Sequence, residues 1–146
     1  MATKFEFNKL KRNILRTKRE LPVVLANLTQ NHFAESFTKG ALDANKWKEV
    51  NRRIAGTREF KYPKTKGLSR RTSPILVRTG NLRRKVQRSI VNAQWQQIRL
   101  VVDLPYASAH NEGTDNIEAR PFMIQTEKLA KIQEAKIKTT MDKIWK

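Results

Sequence analysis

Two histidines, His32 and His110, are the only side chains here whose ordinary pKa lies near neutrality, and one stands beside an acid in His110-Asn111-Glu112-Gly113. A His-x-Glu pair is half of a zinc deaminase site, in which the histidine binds the metal and the glutamate moves protons. The other half is a Pro-Cys-x-x-Cys segment, and this chain has no cysteine. Two histidines without a thiolate leave too few ligands for a typical zinc site. A magnesium-dependent nuclease would need clustered carboxylates, but Asp103, Glu112, Asp115 and Glu118 are loosely spaced. The five glycines form neither a P-loop nor a GxGxxG pattern. His32 shares a helical face with apolar residues and reads as a packed side chain. The expectation is a non-enzymatic chain with no cofactor and no metal.

The remaining chemistry is charge. The 146 residues include 31 Lys and Arg against 13 Asp and Glu, for a formal net charge of +18. Between Phe60 and Val102 there is no acid at all. Such a field attracts a polyanion, either nucleic acid or an acidic protein surface. The cations best placed for contact are Arg52, Arg53, Arg58, Lys61, Lys64, Lys66, Arg70 and Arg71, on a stretch too polar to bury. Lys and Arg on a loop would meet phosphates without reading bases, which makes binding salt-sensitive and indifferent to sequence. Aromatic residues are sparse there (Phe60 and Tyr62), which argues against a single-strand stacking platform. A sequence-nonspecific nucleic-acid-binding protein is therefore one reading of the charge.

The elements that position these residues follow from periodicity. Val24, Leu25, Leu28, His32, Phe33, Ser36 and Phe37 recur at three- and four-residue spacing, after Pro22 and before Gly40. This predicts a helix over roughly 21–38, with Pro22 in its first turn, burying Leu25, Leu28, Phe33 and Phe37. A helix also begins somewhere in residues 1–20, where the signal is weak. Residues 40–48 read as a turn anchored by Trp47. Residues 48–74 read as a long, flexible basic loop. Thr79-Gly80-Asn81-Leu82 is a turn signature. Residues 86–91 and 95–102 read as antiparallel strands joined by Asn92-Ala93-Gln94, with Ile98, Leu100 and Val102 on a buried face. Phe122, Thr126, Leu129, Ala130, Gln133, Ile137, Met141 and Ile144 predict a helix over 122–144. The class is α+β: two helices on a small antiparallel sheet, in one domain spanning 1–146. The N-terminus has no signal-peptide run, and the most apolar stretch, Leu21 to Leu28, is too short to cross a bilayer. A soluble product with no membrane partner is expected.

Five segments now occur in a telling order: Phe33-x-x-Ser36-Phe37; Trp47; Ile75-Leu76-Val77-x-Thr79-Gly80-x-Leu82-Arg83; Tyr106-Ala107-x-x-His110-Asn111-x-Gly113; and Ala119-Arg120-Pro121-Phe122-Met123. In order and spacing the chain resembles the tailed-phage virion morphogenesis family, the Mu-like tail completion or head–tail joining proteins, over residues from about 20 to 145. The resemblance implies a prophage-encoded structural protein of the virion neck, assembled in the host cytoplasm. Its partners would be other phage neck and tail proteins; phosphate-backbone contact with the DNA is the expectation that the charge adds. It also implies a homo-oligomeric ring, while the repulsion of like charges leads to the expectation of a monomer when isolated. A ring of six would carry on the order of a hundred positive charges. The hallmarks carried over are Thr79, Gly80, Leu82, Tyr106, His110, Gly113, Arg120, Pro121 and Phe122, none of them catalytic. Each also has a local reading. Gly80 turns the chain so that Leu82 lies under the sheet, Tyr106 packs its ring, and Pro121 and Phe122 open the last helix. Arg120 pairs with Glu112 or Glu118.

Overall fold

Long helix formers such as Lys, Leu, Arg and Glu fill the N-terminal region, and they make one helix of it. A computed structural model describes residues 4–62 and 69–146, without the side chains of residues 4, 5, 69 and 70. Helix α1 runs unbroken over Lys4–Lys39. Its first half gave little periodic signal because its apolar side chains face out, with Phe7 and Leu15 both exposed. Pro22 does not start the helix as expected but lies inside it and is buried. There it withholds one backbone N–H, so the Lys18 carbonyl has no donor at the usual position. Phe33 and Phe37 are buried as expected, whereas Leu25 and Leu28 are only half-buried.

The architecture is α+β: a long N-terminal helix, a C-terminal helix and two small antiparallel two-stranded sheets. The chain divides into two compact units, one of residues 1–32, 89–101 and 125–146, the other of residues 33–88 and 102–124.

In the first unit, α1 contributes the buried Thr17, Leu21, Ala26 and Thr29, and the C-terminal helix contributes Leu129. That helix, α6, spans Glu127–Asp142; Thr126 caps it by accepting the Leu129 N–H. Phe122, expected in its first turn, precedes it by five residues. Ile137 and Met141, expected on its buried face, are exposed. The Gln133 amide donates to the Thr29 hydroxyl at 2.8 Å, which donates onward to the Leu25 carbonyl at 2.8 Å. The Glu127–Lys131 pair forms at 2.7 Å on the exposed side.

Strands β3 (Ile90–Gln94) and β4 (Gln97–Leu100) form a hairpin with Ala93 opposite Ile98. The turn falls at Trp95-Gln96, so the expected connection, residues 92–94, lies within a strand. The register shifts between Ile90 and Asn92. No residue of β4 is buried, contrary to the expected Ile98 and Leu100 face. A two-stranded ribbon has too little surface to enclose one.

In the second unit, Gly40 (φ +61°) ends α1 and leads into a short hairpin of β1 (Ala41–Leu42) and β2 (Asn45–Lys46), with Asp43 left-handed at its turn. The core is Phe33, Phe37, Ala41, Leu42, Trp47, Ile75, Leu82, Val86, Ala107 and Phe122. Phe37 lies between two rings, 5.7 Å from Trp47 edge-on and 5.3 Å from Phe122. The basic stretch expected as an unstructured loop contains a 3-10 turn at Asn51–Arg53 and two short helices, α2 (Arg58–Lys61) and α3 (Ser69–Thr72). Thr57 caps α2. Gly80 (φ +72°) opens helix α4 (Asn81–Val86) where turn and strand were expected. Leu82 is therefore buried in a helix of this unit and not under a sheet.

Candidate functional site

Helix α5 (Ala107–Glu112) carries both His110 and Glu112. Residues two apart on a helix do not face each other, and the His-x-Glu pair does not converge. Among the described residues no three His, Cys, Asp or Glu side chains gather where a metal ion could be held.

What the structure brings together is the set of separated sequence segments in the second unit. Gly113 (φ +83°) ends α5, and a Cβ there would lie 3.0 Å from the Cβ and the backbone nitrogen of Ala119. Only glycine fits the turn. The returning strand of chain is then fastened bond by bond. The Arg120 N–H donates to the His110 carbonyl at 2.8 Å. The Asn111 Oδ1 accepts the N–H groups of Phe122 at 2.9 Å and Met123 at 3.0 Å. The Trp47 Nε1–H donates to the Pro121 carbonyl at 2.8 Å.

Arg120 is 9% exposed. Its Nε and Nη2 donate to the Lys48 carbonyl at 3.2 Å each, and its Nη1 to the Glu118 carbonyl at 3.5 Å. The expected carboxylate partners, Glu112 and Glu118, are not bonded to it; the Glu118 carboxylate pairs with Lys48 at 3.1 Å. Buried polar groups are generally hydrogen-bonded, and here a full positive charge is met only by neutral carbonyls.

Beside Arg120 lies a cavity of about 330 Å³. Thr79, Leu82, Tyr106, His110 and Arg120, five of the hallmark residues, line it together with Arg52, Arg78 and Asn81. Val50, Leu76 and Val77 complete its walls. The Asn81 amide donates to the Tyr106 hydroxyl at 3.3 Å, and the Tyr106 and His110 rings meet edge-to-face at 6.0 Å. The buried Nδ1 of His110 has no hydrogen-bond partner. Burial, and after it the Arg120 guanidinium, lowers the His110 pKa below its ordinary 6.5. Leu76 holds φ +61°, a conformation that an L side chain adopts only when its surroundings impose it. Gly80, Gly113, Pro121 and Phe122 shape the surrounding backbone and core and do not line the cavity.

Sequence reasoning missed Arg78, Asn81 and the bracket made by Asn111. The adjacency of Asn111 to His110 and Gly113 was the available signal, since Asn favours side-chain bonds to nearby backbone.

The basic residues divide by what they touch. Arg52 donates to the carbonyls of Ser73 at 3.3 Å and Pro74 at 3.1 Å. Arg53 pairs with Glu49 at 3.3 Å. Arg71 donates to the Phe60 carbonyl at 2.7 Å, and its guanidinium lies 4.2 Å from the centre of that ring. Arg58 and Lys61 are exposed. Lys64 and Lys66 lie outside the described residues, as does the Arg70 side chain. Further along, Arg78, Arg84, Lys85 and Arg88 are exposed on and around α4.

Among the described residues no helix is long and apolar enough to cross a membrane. Searches for related proteins return no matching family model, curated protein or solved structure.

Proposed function

We propose that this chain is a structural protein of a tailed phage, acting in tail completion or head–tail joining as a subunit of a neck ring around the DNA channel. The observation that carries the reading is the order of the five hallmark segments, from Phe33-x-x-Ser36-Phe37 to Arg120-Pro121-Phe122. Their meeting within one compact unit supports it. A shared fold requires such contacts between segments distant in sequence, and chance similarity does not.

The charge gives the ring a reason to surround DNA. Cations with internal bonds, such as Arg52 and Arg71, hold the unit together, which leaves Arg58, Lys61, Lys85 and Arg88 as exposed groups for phosphate contact. Contact through such side chains neutralises the backbone and leaves the bases unread, as a channel for any genome sequence requires. Subunits of like charge also repel one another, so ring closure depends on a polyanion or an acidic neighbouring ring. In the isolated state the protein is then a monomer.

Disrupting the gene in the phage that carries it tests the reading. Electron micrographs of the lysate should show DNA-filled heads and finished tails that remain unjoined, with joining restored by a plasmid copy. Mass spectrometry should find the chain in purified virions. Intact, infectious particles lacking the protein would reject the neck role. Sub-micromolar, salt-sensitive binding of the monomer to arbitrary duplexes, together with that absence, would establish the sequence-nonspecific nucleic-acid-binding reading, which the +18 charge favours.

A further inference from the structure

The cavity bounded by Arg52, Arg78 and Arg120 has no carboxylate in its lining. Three arginines thus border one partly open cavity, Arg120 buried and Arg78 exposed. Arg120 uses three of its five N–H donors on carbonyl oxygens; two remain. Arg78 has neither a hydrogen bond nor an ion pair among the described residues. Among the other lining residues, His110 keeps a buried Nδ1 without a partner, and the Tyr106 hydroxyl accepts from Asn81. Val50, Leu76, Val77 and Leu82 contribute apolar side chains to the same lining.

We infer that this cavity is a receptor for a carboxylate on a partner protein, an Asp or Glu side chain flanked by apolar residues. The volume lies at the lower end of the roughly 300–1,000 Å³ of ligand sites, enough for a side chain or two. Guanidinium groups match a carboxylate through paired N–H bonds, most strongly where water is excluded. A duplex phosphate fits less well. It is carried on a broad, rigid surface that meets exposed cations first, and Arg120 is recessed. The apolar wall covers the methylenes of an acidic side chain and its neighbours but gives nothing to a sugar–phosphate. The inference rests on the chemistry of the cavity and stands whether or not the protein occupies a phage neck.

Calorimetric titration of the full chain with two capped peptides tests it, acetyl-Leu-Glu-Val-Glu-Leu-amide and its Leu-Gln-Val-Gln-Leu counterpart. The acidic peptide should bind at least tenfold more tightly. Arg78→Gln should weaken that binding about tenfold or more with an unchanged unfolding midpoint, because the side chain has no internal partner. Tyr106→Phe should weaken it by less. Lys138→Gln, which removes an equal charge far along the sequence from the cavity lining, should leave it as it was. In NMR spectra the Asn81 side-chain amide should shift on titration. Equal binding of the two peptides, or equal weakening with Lys138→Gln, would mean that only the general field acts and would overturn the inference. So would displacement of the acidic peptide by a 20-base-pair duplex in an Arg78-dependent manner, which would assign the cavity to phosphate.

Discussion

The Oδ1 of Asn111 accepts two consecutive backbone N–H groups, Phe122 at 2.9 Å and Met123 at 3.0 Å. One side chain thereby fixes the segment that places Phe122, 1% exposed, against Phe37. Asn111→Ala leaves both donors without their acceptor in a half-buried setting. Each such loss costs about 1–3 kcal/mol, so urea unfolding should show a destabilisation of roughly 2–4 kcal/mol. Asn111→Asp keeps the acceptor and should recover most of it. Equal losses for both would show that the oxygen is not what matters.

Trp47 presents a second test at the other side of Phe37. It is 6% exposed, whereas Trp95 and Trp145 are 46% and 73% exposed. Acrylamide should therefore quench two emitting populations and spare a third, and Trp47→Phe should remove the spared one. The same substitution deletes the bond to the Pro121 carbonyl. Its cost should be about 1–3 kcal/mol, while Trp47→Ala, which also empties core volume, should cost about 3–5 kcal/mol.

His110 ties the cavity to pH. Its pKa in the folded protein lies below 6.5 through burial and then the Arg120 charge. The unfolded chain thus binds a proton more readily than the folded one in the interval below 6.5. Stability is full above that value and falls as pH drops through the interval, levelling once the folded group also protonates. His110→Gln should flatten this part of the stability curve, measured by urea midpoints between pH 7.5 and 5. An unaltered slope in the variant would locate the titrating group elsewhere. Occupation of the cavity by an acidic peptide should raise the His110 pKa, because the added carboxylate opposes Arg120.

How much of this was legible in the sequence depends on which force set each feature. Phe33, Phe37 and Leu129 were readable because helical periodicity and burial agree there. The start of α1 was not, because its outward-facing Phe7 and Leu15 carry no stripe. Helix α4 was hidden behind β-branched neighbours, although Leu82 and Val86, both buried, stand at the i,i+4 spacing of a helix. The hairpin slipped because alternation in Ile98, Leu100 and Val102 resembles a buried face whether or not anything covers it. Five of the eleven residues that line the cavity are hallmark positions. Arg78 escaped because a left-handed Leu76 turns a run that reads as extended.

The cations fall into a structural and a surface group, and the two should respond differently to neutralisation. Arg71 is bonded to the Phe60 carbonyl and stacked on its ring, whereas Lys85 and Arg88 stand exposed on and beyond α4. Removing one phosphate-binding cation should reduce the slope of log K against log salt by about 0.9. Lys85→Gln with Arg88→Gln should therefore flatten the salt dependence of duplex binding by up to roughly 1.8, with an unchanged unfolding midpoint. Arg71→Gln should do the reverse, lowering the midpoint and leaving the slope as it was. Fluorescence anisotropy of a labelled duplex at several salt concentrations, alongside urea unfolding of each variant, measures both quantities. If Arg71→Gln alone flattens the slope, the basic segment before residue 75 meets the phosphates, and the α4 cations serve only to keep the surface charged.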